Sequence, residues 1–423
     1  MDVLKLANTV SESAQVISDF LKQQNLKLSF NVEDPDVTEL SGPGAEQFHE
    51  ARRRIYDTAL TLADLMAGDL TMLETYNSAD ISAAVRIASK FRFAHAVPLN
   101  GSISYDDLAE SVGLSKFTVQ RVMYTLMGVH IFHQPKPNNV AHTRLSQRLA
   151  TYKGIDAYLT MGQEYLQRSC YHIADALAKW GSPEDPRKTG FNIAMDTDRA
   201  IFEYAEDHKE LHSIVSGSME YMSSYKKDGL ISGFDWEGLG DATVVDVGGS
   251  LGHASKRLAQ QFPKLRFIVQ DFEVTCQKGE AALPDELRSR ISFQPFNMFE
   301  PQPALPDRKV VYLLCWILHD WSDRECSQIL RSIAQGMKPG DHIIISEFVR
   351  PEPGAGSLWL ERAVSRSDTY MLSGSNGRER TAAQFEALPR MADPRLRLAK
   401  ITLPSDSWTS VIEIAFDEEK KMY

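Results

Sequence analysis

The stretch "VVYLLCWILHDWSD" (310–323) is an apolar run that stops at His319 and Asp320. Histidine is the side chain whose ordinary pKa lets it take and release a proton near neutrality, so its place at the mouth of a buried run is either that of a general base or that of a capped turn that happens to contain histidine. Upstream, "VVDVGGSLGHASKRLA" (244–259) joins an apolar run, a glycine turn and a helix start. Gly248, Gly249 and Gly252 allow a tight turn and close approach of backbone to a ligand, while the helix behind them offers free N–H groups. A dinucleotide fingerprint would place glycines at 248, 250 and 253, but Ser250 and His253 stand at two of these positions. A nicotinamide enzyme is therefore disfavoured, and a different nucleotide cofactor is expected.

Further candidates follow in chain order. Asp271 closes "RFIVQDF", where a carboxylate can accept both hydroxyls of a ribose; taken alone it is equally an ordinary strand-end residue. Asn297 and Met298 end the third strand, "ISFQPFN", and place an amide and a flat, polarisable side chain where an adenine could be read and covered. Asp320 is divided between chemistry beside His319 and capping of the helix "DRECSQIL". No grouping of His, Cys and Asp has metal-ligand spacing, so no metal is expected, and a G-x-S-x-G elbow is absent.

The elements that must position these residues are short β-rich runs alternating with helical ones. "TVVDVGG" (243–249), "RFIVQDF" (266–272), "ISFQPFN" (291–297), "VVYLLCWIL" (310–318) and "HIIISEFV" (342–349) are separated by stretches such as "HASKRLAQQF" and "DRECSQILRSIAQGM". Apolar strands joined by crossover helices imply an α/β fold with a mainly parallel sheet covered on both faces, its ligand beyond the strands' C-terminal ends. "LRLAKITLP" and "TSVIEIAF" read as a closing antiparallel hairpin. Residues 46–180 read as helix, and the joint "GSPEDPRKTG" (181–190) divides the chain into domains 1–180 and 181–423. Ahead of them, residues 6–23 have helical spacing and the acidic, Pro- and Gly-containing stretch 28–44 reads as a linker, so a detached first helix is expected. Within 103–132, two short amphipathic helices meet at Gly113 with Ser115 as N-cap, a helix-turn-helix pattern followed by a wing-like segment at 138–150.

Charge narrows the function. Lys plus Arg number 46 and Asp plus Glu 57, giving 46 − 57 = −11, and the second helix of the pair carries only Lys116 and Arg121. Nucleic acid is not the expected partner; a small organic molecule is. Four cysteines without paired spacing fit a reducing compartment. The segment "MDVLKLANTVSES" lacks a basic region followed by an apolar one, and the longest apolar run falls far short of the ~20 residues that span a bilayer. A cytoplasmic protein with no membrane partner is expected.

Taken together, "VDVGGSLGH", "VQDF", "NMF", "LHDWSD", "ISEFV" and "NGRERT" resemble, in this order, the S-adenosylmethionine-dependent O-methyltransferases of the caffeic-acid and fungal secondary-metabolite type. The resemblance spans roughly residues 45–420. It implies a doubly wound, Rossmann-like methyltransferase sheet with S-adenosylmethionine across its strand ends. It also implies a helical, winged-helix-like N-terminal domain that forms a homodimer. By the same resemblance Glu347 in "ISEFV" and Glu379 in "NGRERT" orient His319 and stabilise its charged form, and Asp320 neighbours the cofactor or the histidine. Glu347 closes the strand beside the one leading to His319, so the strand order places it there independently; only the resemblance singles out Glu379.

Three positions depart from the family pattern. Ser250 replaces a common third glycine, Asn297 replaces an acidic residue before the methionine, and Cys315 stands where many relatives carry a Lys or Arg that holds the cofactor's carboxylate. These departures raise an alternative within the same fold: a pericyclase or dehydratase that binds S-adenosylmethionine as a fixed charge and transfers no methyl. Retention of His319, Glu347 and Glu379 together favours methyl transfer to a hydroxyl of an aromatic or polyketide-derived molecule.

Overall fold

The computed structural model describes residues 2–225, 229–305, 309–404 and 407–417. The chain divides into two compact units: residues up to 163 together with 357–359, and residues 164–356 together with those from 360 onward.

The first unit is built of helices. Val3–Gln23 packs against Ala45–Ala67 through the rings of Phe20 and Phe48, whose centroids lie 4.6 Å apart, with Leu40 buried beside them. The first helix is therefore not detached. The intervening stretch is folded back: Arg144 Nη1 donates to the carbonyls of Ser29 and Asp34, at 3.1 and 2.9 Å, and Arg148 pairs with Asp36 at 2.7 Å. Acidic residues that resemble a solvated linker in the sequence are thus counter-ions for a neighbouring helix. Tyr105–Val112 ends at Gly113 with φ 70°, and Lys116–Gly128 starts from Ser115, whose hydroxyl accepts from the Thr118 amide at 3.2 Å. Ile103–Ser104 and Asn139–Val140 form a short antiparallel ladder.

The second unit holds a seven-stranded sheet: β1 Thr243–Val247, β2 Arg266–Asp271, β3 Ile291–Pro295, β4 Val310–Cys315, β5 His342–Glu347, β6 Leu396–Thr402 and β7 Ser410–Phe416. The spatial order is β6-β7-β5-β4-β1-β2-β3, parallel from β5 to β3, with β7 antiparallel between β5 and β6. Alternate side chains feed two cores. Val245, Tyr312, Leu314, Ile343 and Ile345 meet the helices Asp323–Gly336 and Ala382–Ala392, whereas Val244, Val311, Leu313, Ile344 and Phe267 meet His253–Gln261. Burial on both faces is why these strands read as continuous apolar runs rather than alternating ones. Strand order reverses at β1, between β2 and β4, so the crevice for a ligand opens beyond the ends of these strands. Among the described residues no helix is long and apolar enough to cross a membrane.

Candidate active site

The apolar run at 310–318 does not stay extended to its end. β4 stops at Cys315, Trp316 turns left-handed with φ 57°, and Leu318–Asp320 forms a 3-10 turn. His319 therefore projects from a turn beyond the sheet, not from the strand itself. The turn's amides are held by Glu347 at the end of β5: its Oε1 accepts from Ile317 at 3.0 Å, Leu318 at 2.5 Å and His319 at 3.4 Å. Glu347 thus supports the backbone beneath His319, and the ring's partner is Glu379. Glu379 Oε1 lies 3.0 Å from His319 Nδ1 and accepts from the Ser367 hydroxyl at 2.6 Å, while the Asp368 carboxylate accepts from the Glu379 amide at 2.8 Å.

A carboxylate only accepts, so the proton between Glu379 and the ring sits on Nδ1, and in the neutral imidazole Nε2 is left as an acceptor. Asp320 Oδ1 is 3.8 Å from Nε2. Asp320 does not cap the following helix; Ser322 does, exchanging a capping box with Glu325. Burial alone pulls the His319 pKa down, but the carboxylates of Glu379, Asp320 and Glu347 outweigh it and raise it to about 10. Burial in turn pushes Asp320 up to about 6 and Glu347 up to about 7, partly offset by the His319 charge. The Trp316 ring stands 5.3 Å from the imidazole and gives the site an aromatic wall.

The glycine turn lies at the neighbouring strand ends. Gly248 has φ 69°, and a Cβ on Gly249 would fall 2.6 Å from the Asp246 carboxyl carbon and 2.8 Å from Val269. Ser250 also adopts a left-handed φ of 50°, and its amide donates to Asp271 Oδ2 at 2.9 Å, tying the turn to the end of β2. Asp271 Oδ1 accepts from the Phe272 amide at 2.8 Å, and burial raises the pKa of the carboxyl. The Thr275 hydroxyl also hydrogen-bonds this carboxyl, so three of its acceptor sites are engaged by the protein. Gly252 precedes the helix His253–Gln261. β3 ends at Pro295, short of Asn297 and Met298; Asn297 Oδ1 accepts from the Phe299 amide at 3.1 Å in a turn, and Met298 is half-buried against the core. The Asn297 oxygen is thus partly committed, and its NH2 remains as a donor.

Asp246 and Arg380 have no role in the sequence reading. Asp246 is buried beneath the glycine turn with Oδ2 accepting from Ser255 at 2.6 Å and burial raising it to about 6; among the described residues its Oδ1 has no hydrogen-bond partner. Its signal was present, as the one charge inside the buried strand "TVVDV". Arg380 is buried beside Glu379, and nothing in the sequence marks an arginine as fully enclosed. Among the described residues no group of three or more His, Cys, Asp or Glu side chains could hold a metal ion.

Comparison with known proteins gives the family of the chain. Residues 171–393 match the O-methyltransferase domain family. O-methyltransferase PaMT of Phomopsis amygdali is 30% identical over 422 residues, covering 98% of this chain and 96% of that one. The grayanic acid biosynthesis cluster O-methyltransferase of Cladonia grayi is 31% identical over 428 residues, covering 100% of this chain and 89% of that one. Among solved structures, one described as a pericyclic reaction enzyme shares the fold with a TM-score of 0.76 at 23% identity, covering 97% of this chain and 100% of that one. With its family match running from the helices ahead of β1 to the one after Glu379, the chain belongs to the O-methyltransferase family.

Proposed function

We propose that this protein transfers a methyl group from S-adenosylmethionine to a hydroxyl of an aromatic or polyketide-derived small molecule, with His319 as general base. The observation that carries the reading is the Nδ1 contact with Glu379, which leaves Nε2 as the proton-accepting atom. The bound cofactor supplies a methyl group on a cationic sulfur that departs as a neutral thioether, so no acid is needed for the leaving group. The protein's task is to hold the acceptor oxygen in line and remove its proton. An imidazole holding its proton to about pH 10 is matched to a phenol, whose ordinary pKa is also about 10, so transfer between them is nearly level. The Glu379 and Glu347 carboxylates stabilise the imidazolium that forms, and Asp320 adds to their field.

The strand ends suit the cofactor. Gly248, Gly249 and Gly252 bring backbone close, Asp271 takes the ribose hydroxyls, Asn297 and Met298 read and cover the adenine, and Asp320 lies on the side shared with His319. The buried, unpartnered Asp246 Oδ1 supports the assignment, since a cationic ammonium beside the turn would satisfy it. A second reading, cyclisation or dehydration without methyl transfer, is favoured by the uncharged Cys315 four residues before His319. For the helical domain 1–180 we assign a winged-helix-like dimerisation role, supported by the helix pair at Gly113 and by exposed Leu65, Met66, Leu70 and Leu73.

The deciding experiment incubates the protein with methyl-labelled S-adenosylmethionine and a panel of phenols and polyketide aromatics. Label on oxygen in the wild type and none in His319→Ala, with cofactor affinity retained, is expected. Cyclised product without label would replace methylation by the second reading, and an unchanged rate in His319→Ala would remove the base.

A further inference from the structure

Arg380 follows Glu379 directly, is fully buried, and takes no part in the proton transfer itself. Its Nη1 donates to the Leu318 carbonyl at 2.7 Å, Nη2 to the Trp321 carbonyl at 2.7 Å and to Cys326 Sγ at 3.1 Å, and Nε to Asp323 Oδ1 at 2.9 Å. A buried cation is tolerated only when its donors are matched. Here two of the three matching oxygens belong to the main chain of the turn that carries His319, and the third to the Asp323 carboxylate.

A 3-10 turn this short cannot hold its own shape, because most of its amides and carbonyls have no internal partner. Glu347 takes the amides of residues 317–319 and Arg380 takes the carbonyls of 318 and 321. An anion at the amide end and a cation at the carbonyl end match the polarity of the turn. Gly377 closes the arrangement: a Cβ there would fall 2.1 Å from the His319 carbonyl oxygen, so the loop bearing Glu379 and Arg380 lies directly on the turn. Adjacent residues of one loop thus grip the ring and the backbone that presents it.

We propose that Arg380 is a positioning residue for His319, bridging the carbonyls of Leu318 and Trp321 so that the imidazole stays on Glu379. The planar fork of the guanidinium is what spans both carbonyls and Asp323 together; a lysine ammonium in its place keeps the charge and loses the span. The charged groups around the ring, Glu379 and Asp320 beside it and Glu347 beneath its backbone, are unchanged in such a variant.

The proposal rests on His319 as base, and its test does not require the acceptor. The full chain, with S-adenosylhomocysteine added and histidine rings labelled with nitrogen-15, is followed by NMR, and His319→Ala identifies the His319 signals. In the wild type the Nδ1 proton is protected from exchange by Glu379. In Arg380→Lys that proton is expected to exchange roughly tenfold faster or more, with affinity for S-adenosylhomocysteine retained. An unchanged exchange rate overturns the proposal. If Arg380→Lys does not fold, Asp323→Asn neutralises the part-exposed carboxylate that aims the guanidinium, and Arg378→Ala controls for the second cation this carboxylate pairs with: faster exchange in Asp323→Asn but not in Arg378→Ala supports positioning, and an unchanged rate in Asp323→Asn, or equal acceleration in both, overturns it. A His319→Ala variant that still methylates would remove the base and leave the exchange comparison standing; an inactive one beside normal exchange in Arg380→Lys would remove positioning alone.

Discussion

Replacing Glu379 by Gln keeps the size of the side chain and an oxygen for Nδ1, but removes the charge that most strongly raises His319. Two buried unit charges some 4 Å apart at an effective dielectric near 20 interact by about 4 kcal/mol, or about three pKa units. The His319 pKa of about 10 would then fall to about 7. In the wild type, neutral imidazole is about one molecule in a thousand at pH 7, so kcat/KM toward a phenol should climb about tenfold per pH unit from 7 to 9. Asp320 loses its proton near pH 6, below that range, and Glu347 near pH 7, at its foot, and both only strengthen the field on the ring. Glu379→Gln should instead level off just above pH 7. Its plateau should lie about 30-fold below the wild-type limit, because a base weaker by three units loses roughly half of them in rate. The assay is the initial rate of labelled methyl transfer from pH 6 to 10, with S-adenosylhomocysteine affinity measured alongside. Superimposable profiles for the two proteins, or a wild-type plateau beginning near 6.5, would refute the reasoning. The same shift bears on stability. Because the folded pKa of His319 is raised above its unfolded value, its contribution is complete below about pH 6.5 and is lost as pH rises through about 10, a loss that Glu379→Gln should largely abolish.

Two substitutions at turns test the supporting backbone. Gly377→Ala puts a methyl into the His319 carbonyl and the Asp320 backbone, neither of which can swing aside, so thermal unfolding should report a loss of about 1–3 kcal/mol and kcat should fall more than cofactor affinity. Wild-type Tm and kcat in this variant would contradict the contact. Ser250→Gly relieves a left-handed residue and should stabilise by roughly 0.5–1 kcal/mol, a rise of about 1–3 °C in Tm, without weakening cofactor binding. A lowered Tm would mean that the serine side chain contributes more than its backbone strain costs.

All seven strands correspond to runs visible in the chain; β1, β4 and β5 are buried on both faces and so almost continuously apolar, whereas the edge strands β3 and β6 are half-exposed and were marked by their β-rich composition. Local chemistry was equally legible where it depends on neighbours in sequence, as with Ser115 at its N-cap, Gly113 at its joint and the glycine turn after β1. The site's partnerships join residues far apart in the chain: the resemblance alone brought Glu379 to His319, and which atoms meet was not legible. Whether Glu347 faced the ring or the amides beneath it depended on where β4 stops, and that is set by the left-handed Trp316. Asp320 could not be separated from a capping residue until Ser322 was seen to cap. The linker's acids looked solvated because Arg144 and Arg148, their counter-ions, lie more than a hundred residues away. Arg380 was invisible for a similar reason. An arginine is ordinarily exposed, and only the packing of its loop over the turn supplies the carbonyls that make burying its charge possible.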